Sequence, residues 1–92
     1  MTPFAIRVYK AVLKIPLGQR RTYKWVARRA GSTCAWRAVG RVLKANPYPL
    51  IIPCHRVVKS DNNIGGYVFG VRAKKMLLDL EKEAALCVTH RR

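Results

Sequence analysis

Ninety-two residues, half of them hydrophobic, make one folding domain with a single modest core, which excludes a disordered tail and a two-domain chain. The formal net charge of +15 comes from 19 Lys and Arg against four acids, and no acid precedes Asp61, so the first two thirds of the fold repels itself and calls for a polyanionic partner. Nucleic acid leads, an anionic membrane surface comes second, and a basic ribosome-associated protein is the blandest version. Cys34, Cys54 and Cys87 are odd in number and far apart, which argues against a disulfide framework or a structural zinc site and fits a reducing, cytoplasmic setting. Neither a signal-like N-terminus nor a run of membrane-spanning length is present, and no metal or organic cofactor is implied.

Thr2-Pro3 opens the first helix, with Thr as N-cap and Pro at the first helical position. Phe4, Val8, Ala11, Val12 and Ile15 recur at helical spacing, and Pro16 ends the element. Gly18 lies in the turn that follows, and Gln19-Arg20-Arg21 form a basic loop. Thr22 caps a second helix, Tyr23 to Ala30, closed by Gly31; a third runs from about Ala35 to Ala45 and stops at Asn46-Pro47. Two short helices around a Gly-containing turn, about residues 22–46, match a helix-turn-helix, with Arg37, Arg41 and Lys44 on the recognition helix; the same pattern also serves as a packing unit. Ala38 and Gly40 make that helix small-faced near Arg37, so a close neighbour is expected there, either another helix or a nucleic-acid backbone.

Leu50-Ile51-Ile52 reads as a short buried strand, punctuated by Pro47, Pro49 and Pro53 into a rigid path with few backbone donors. It leads to Pro53-Cys54-His55-Arg56-Val57, where a thiol is held beside an imidazole. That arrangement suits a nucleophile, since thiolate is the reactive form and His can take its proton; a buried structural Cys is the plain alternative. Val57-Val58 extend the strand, Ser60-Asp61-Asn62-Asn63 turn, and Gly65-Gly66 form a flexible pair. The last helix is expected from Val71 to Leu86 with Leu77, Leu80 and Ala84 on its apolar face and Leu78 beside it; Val88 to Arg92 form a frayed basic tail. Glu81, at the margin of that stripe, either pairs with Lys74 or Lys82 or orients His55.

Pro53-Cys54-His55-Arg56-Val57 resembles the active-site signature of the alkylguanine-DNA alkyltransferases, the methylated-DNA–protein-cysteine methyltransferases. Thr22-Tyr23, Arg37-Ala38-Val39-Gly40, Asn46-Pro47, Ile51-Ile52 and Gly65-Gly66-Tyr67 fall in the family's order, so the resemblance spans about Phe4 to Glu83. It implies a mainly α fold: a small helical domain with a helix-turn-helix, a short active-site strand or loop over 47–70, and a C-terminal helix. The family's N-terminal domain is expected to be absent from this chain, with a separate polypeptide as its possible source. The implied activity is stoichiometric transfer of the alkyl group of 6-O-methylguanine in double-stranded DNA to the protein's own cysteine, after nucleotide flipping. Cys54 would accept the group. His55 would act as base through an ordered water, Glu81 would hold its tautomer, Tyr23 would protonate the guanine ring, and Asn46 would brace the turn. Arg37 would fill the space of the extruded base, with Ala38 and Gly40 admitting the helix to the minor groove and Thr22, Arg41 and Lys44 also on the DNA. Backbone near Val57 and Val68 would read the guanine edge, and Tyr67, Val68 and Phe69 would line the pocket, Val68-Phe69 tightening it against bulky alkyl groups. Trp36 stands where the family often has a small residue. The expected protein is a monomer, nucleoid-associated in the cytoplasm. The alternatives are an alkyltransferase-like sensor that binds without transfer, and a non-enzymatic helix-turn-helix protein.

Overall fold

The computed structural model describes residues 2–32, 35–60, 64–67 and 69–90, without the side chains of 88–90. The expectations for Cys34, Asp61-Asn62-Asn63, Val68 and the end of the basic tail at Arg91-Arg92 lie outside the described residues.

Helix α1, Pro3–Leu13, begins where Thr2 accepts a hydrogen bond from Ala5 N, and Pro3 sits at a position whose N–H would have no helical partner. Strand β1, Arg21–Thr22, leads directly into α2, Tyr23–Arg29, and Thr22 caps that helix through its hydroxyl to Trp25 N. Helix α3, Trp36–Lys44, packs on α2 to complete the helix-turn-helix. The three helices enclose Val8, Val12, Val26 and Val39, none with exposed surface, and each such burial contributes about 1.5–3 kcal/mol. Two polar ties fix the packing: Tyr9 Oη donates to Val42 O at 2.9 Å, and Arg7 Nε to Ala30 O at 2.9 Å.

A 3-10 turn, Cys54–Arg56, passes into strand β2, Val57–Val58, which pairs in parallel with β1 (Arg21 opposite Val57, Thr22 opposite Val58). Arg21, expected in a loop, is therefore part of a two-residue ladder that stitches the start of α2 to the Cys54 segment. Helix α4, Val71–His90, runs past the expected end at Leu86, so residues 88–90 continue a helix and not a frayed tail. Gly18, at φ +83°, lets the loop after α1 approach α4: a Cβ there would lie 2.7 Å from Ala85 Cβ.

Two further sequence expectations fail. Leu50-Ile51-Ile52 is a turn, with Leu50 63% and Ile51 74% exposed. The flanking prolines supply no ladder donors, and Asn46 closes the segment instead: its Nδ2 donates to Ile52 O at 3.0 Å while its Oδ1 accepts from Tyr48 N at 2.9 Å. On α4, Leu80 and Ala84 face outward and Leu77 is half-buried, whereas Lys74 and Leu78 are buried and Glu81 lies inward. Polar anchors to the Cys54 segment set the helix's rotation, overriding its apolar stripe.

Candidate active site and nucleic-acid face

Cys54 begins the 3-10 turn, its N–H donating to Ile52 O at 2.7 Å, so the Asn46-braced turn fixes where the thiol stands. Its Sγ lies 3.9 Å from Pro49 O. Only 5% of the residue is exposed, and it lines a cleft of about 300 Å³ between Tyr23 of α2 and Gly66-Tyr67 of the loop before α4. Arg37, Arg41 and Lys44 of α3 line the same cleft. Gly65, at φ +79°, brings that loop close to Tyr23: a Cβ there would lie 3.2 Å from Tyr23 Oη.

Behind the thiol lies a buried polar chain. His55 is 2% exposed, and its Nε2 stands 2.9 Å from Glu81 Oε1, within ion-pair range but without the in-line geometry of a full hydrogen bond. Its Nδ1 has no hydrogen-bond partner among the described residues, nor has the buried Oη of Tyr67, whose ring meets His55 edge-on at 6.1 Å. Arg56 grips the other side of Glu81, and its Nη1 donates to Ile15 O at 2.8 Å. Burial works to raise the Glu81 carboxyl, but the hydrogen bonds from Arg56 and the close contact with His55 outweigh it and hold the group below its ordinary value.

Lys74 is the unexpected member. It has no exposed surface; its Nζ donates to Gly66 O at 3.1 Å and sits 5.8 Å from the centre of the Tyr23 ring. Burial pulls its pKa down to about 8, against the pull of Cys54, which favours the ammonium. Burial likewise pushes the Cys54 thiol up, while the Asn46 side chain and the Lys74 charge act to lower it. Burial, and then the neighbouring Cys54, push the Tyr23 phenol up, so Tyr23 keeps its proton at neutral pH.

The expected residues thus fall into groups. Tyr23, Arg37, Gly40, Arg41, Lys44, Cys54 and Tyr67 share the cleft, and His55, Glu81 and Asn46 stand behind it. Thr22 spends its hydroxyl on the α2 cap, and Ala38 is half-buried on α3. Val57 is fully buried in β2 and lines no part of the cleft. Phe69 is 59% exposed, meets Tyr67 edge-on at 5.6 Å and lies in a shallow groove beside Met76 and Leu80 on α4. Arg56 had no assigned role. Lys74 and Lys82 were expected as counter-charges for Glu81, but Arg56 and His55 take that place and Lys74 bonds Gly66 O. Lys74, Leu78 and Glu81 at i, i+4 and i+7 do mark the inward face of α4.

Residues 3–83 match the family described as 6-O-methylguanine DNA methyltransferase, DNA binding domain. The chain belongs to that family. This methyltransferase-family domain is 52% identical over 79 residues to a methylated-DNA–protein-cysteine methyltransferase of Saccharolobus islandicus, covering 86% of the chain and 50% of that protein. Among solved structures it resembles Mycobacterium tuberculosis OGT in complex with DNA, with a TM-score of 0.88 and 43% identity over 90% of this chain and 52% of that one. It also resembles S. pombe Atl1 in complex with damaged DNA containing O6-carboxymethylguanine, with a TM-score of 0.78 and 32% identity over 88% and 77% of the two chains. The domain spans about half the length of the curated relatives it matches. No helix among the described residues is long and apolar enough to cross a membrane.

Proposed function

We propose that the domain repairs double-stranded DNA directly, moving the alkyl group of 6-O-methylguanine to Cys54 once per molecule. The observation that carries this is Cys54 opening onto a Tyr-walled cleft with a buried His55–Glu81–Arg56 chain behind it.

The damaged nucleotide leaves the duplex to reach the cleft; a lesion that pairs poorly costs least to extrude. Arg37, exposed on α3, enters the gap, and the small Ala38 and Gly40 let the helix approach along the minor groove. In the cleft, Sγ attacks the methyl carbon. A carbon–sulfur bond forms as the carbon–oxygen bond breaks, and its electron pair goes to the guanine. The thiol proton passes to His55 Nδ1 through a bridging water, while Glu81 stabilises the imidazolium at Nε2. Tyr23 gives its phenolic proton to the guanine ring as negative charge develops, and is reprotonated as His55 discharges. Lys74 favours the thiolate. The thioether that results is stable, so each molecule acts once, and the reaction draws on no cofactor. The domain acts as a monomer on DNA in the cytoplasm.

The likeness to Atl1 keeps a second reading, a sensor that binds alkylated guanine without transfer. Such proteins lack the cysteine that this chain places in the cleft. Intact-mass measurement after incubation with a duplex containing 6-O-methylguanine separates the readings. A gain of one methyl marks transfer. Tight, lesion-selective binding with no gain marks a sensor, and indifference to the lesion marks a general DNA-binding domain.

A further inference from the structure

Trp36 opens α3 and is 40% exposed, with the Arg37 guanidinium 5.0 Å from the centre of its ring. The other tryptophan is half-buried against the core. Trp36 forms one wall of a cavity of about 490 Å³ whose other functional groups are Tyr23, Lys24, Arg37, Lys59 and Ser60, with no acid among them. Tyr23, Arg37 and Gly40 line both this cavity and the Cys54 cleft, so the two are adjoining compartments with a common wall. Interleaved aromatic rings and cations are what an unstacked nucleotide recognises: the ring takes the base, and the cations take its phosphate.

We propose that this cavity is a second nucleotide subsite. It takes the nucleotide next to the damaged one on the same strand, with the base against Trp36 and the phosphate between Lys24 and Lys59. The inference rests on the Cys54 cleft receiving the extruded guanine. Extrusion takes one stacking face from the neighbouring base, and the indole replaces it. Arg37, held beside the indole, is then already at the boundary between the two compartments. One base–aromatic stack spans roughly 5- to 150-fold in affinity, and that is the loss expected on removing the ring.

The test uses Trp25→Phe protein, in which Trp36 is the only tryptophan, with Trp36→Ala, Trp36→Phe and Arg37→Ala measured alongside. A short oligothymidylate should quench Trp36 fluorescence, and inorganic pyrophosphate should not. Trp36→Ala should weaken binding of lesion-containing duplex by roughly 5- to 150-fold, with Trp36→Phe recovering most of the loss. The proposal fails if the oligonucleotide leaves the fluorescence unchanged, or if pyrophosphate quenches as well, which would mark a phosphate site alone. It also fails if the Trp36→Ala loss disappears in the Arg37→Ala background, which would make Trp36 only a rest for Arg37. The mass of wild-type Cys54 reports on the repair reading separately. Methyl gain without quenching removes the subsite and leaves repair standing; quenching without methyl gain does the reverse.

Discussion

Arg56 holds Glu81 by two parallel hydrogen bonds, Nε to Oε1 at 2.9 Å and Nη2 to Oε2 at 2.8 Å, two residues after the nucleophile candidate and 25 residues before its partner. This fork ties α4 to the Cys54 turn and presents Oε1 to His55. Both side chains are 15% exposed, so removing one leaves a largely buried charge alone. Arg56→Ala should cost about 2–4 kcal/mol of stability and lower Tm by roughly 10 °C or more. Arg56→Lys should recover only part, because an ammonium cannot make the two-pronged contact. The folded Glu81 carboxyl lies below its ordinary value, so its contribution is present above about pH 4.5 and is lost as pH falls through the folded value. Thermal unfolding across pH 3–7 checks this; a wild type and Arg56→Ala that lose stability in parallel on acidification would contradict it.

Lys74 should separate stability from reactivity. Unfolded, it keeps its proton to about pH 10.5, while folded it releases it at about 8, so the unfolded chain binds more protons between those values and stability rises with pH there. Below pH 8 the fold bears the full cost of a buried ammonium. Lys74→Met should therefore melt at the same or a higher temperature at pH 7 and lose the alkaline rise. Its transfer rate should fall about tenfold, the effect of roughly 1.4 kcal/mol on the barrier, because the thiolate loses its cation and the Gly66 carbonyl loses its donor. A variant less stable at pH 7 yet equally fast would refute this assignment.

Gly18 is held at φ +83° against α4, where an added Cβ would lie 2.7 Å from Ala85 Cβ. Gly18→Ala should cost about 1–3 kcal/mol, read as a fall in Tm. Single-turnover transfer measured well below that Tm should be close to wild type, since the part of the site nearest an added Cβ is the Glu81 backbone carbonyl, at 3.4 Å, an ordinary contact that leaves its carboxylate in place. An unchanged Tm would show that the loop moves aside at no cost.

Affinity for DNA should fall steeply with salt, because Arg37, Arg41 and Lys44 face the cleft from one helix and each phosphate contact releases counterions. Charge removal at Lys44 should reduce the slope of log affinity against log salt by about one. A slope near zero would place the DNA elsewhere.

Local physics made much of the fold legible. Thr2 and Thr22 as caps, Pro3 at the first helical position and Gly31 after α2 are decided by residues within one turn of each other. The Cys-His pair and Asn46 were legible as a constellation through the family resemblance. The rest depended on contacts distant in sequence. The pairing of Arg56 with Glu81 leaves no local signal, and the two-residue pairing of Arg21-Thr22 with Val57-Val58 is too short for alternation to show. Leu50 and Ile51 look like a core strand until the prolines and the Asn46 clasp are counted. Leu80 looks like core until Lys74 and Glu81, drawn inward by Gly66 and Arg56, turn it to the outside.

Alkyl transfer to Cys54 itself underlies the proposed repair reaction. The most direct test is to react the protein with excess duplex carrying a labelled methyl on guanine O6, count the label retained, and map it by peptide mass. The label should reach a plateau at one methyl per molecule, all on the peptide holding Cys54, with none in Cys54→Ser protein. Label on Cys87, continued turnover past one methyl, or an unlabelled protein that still binds the lesion would contradict it.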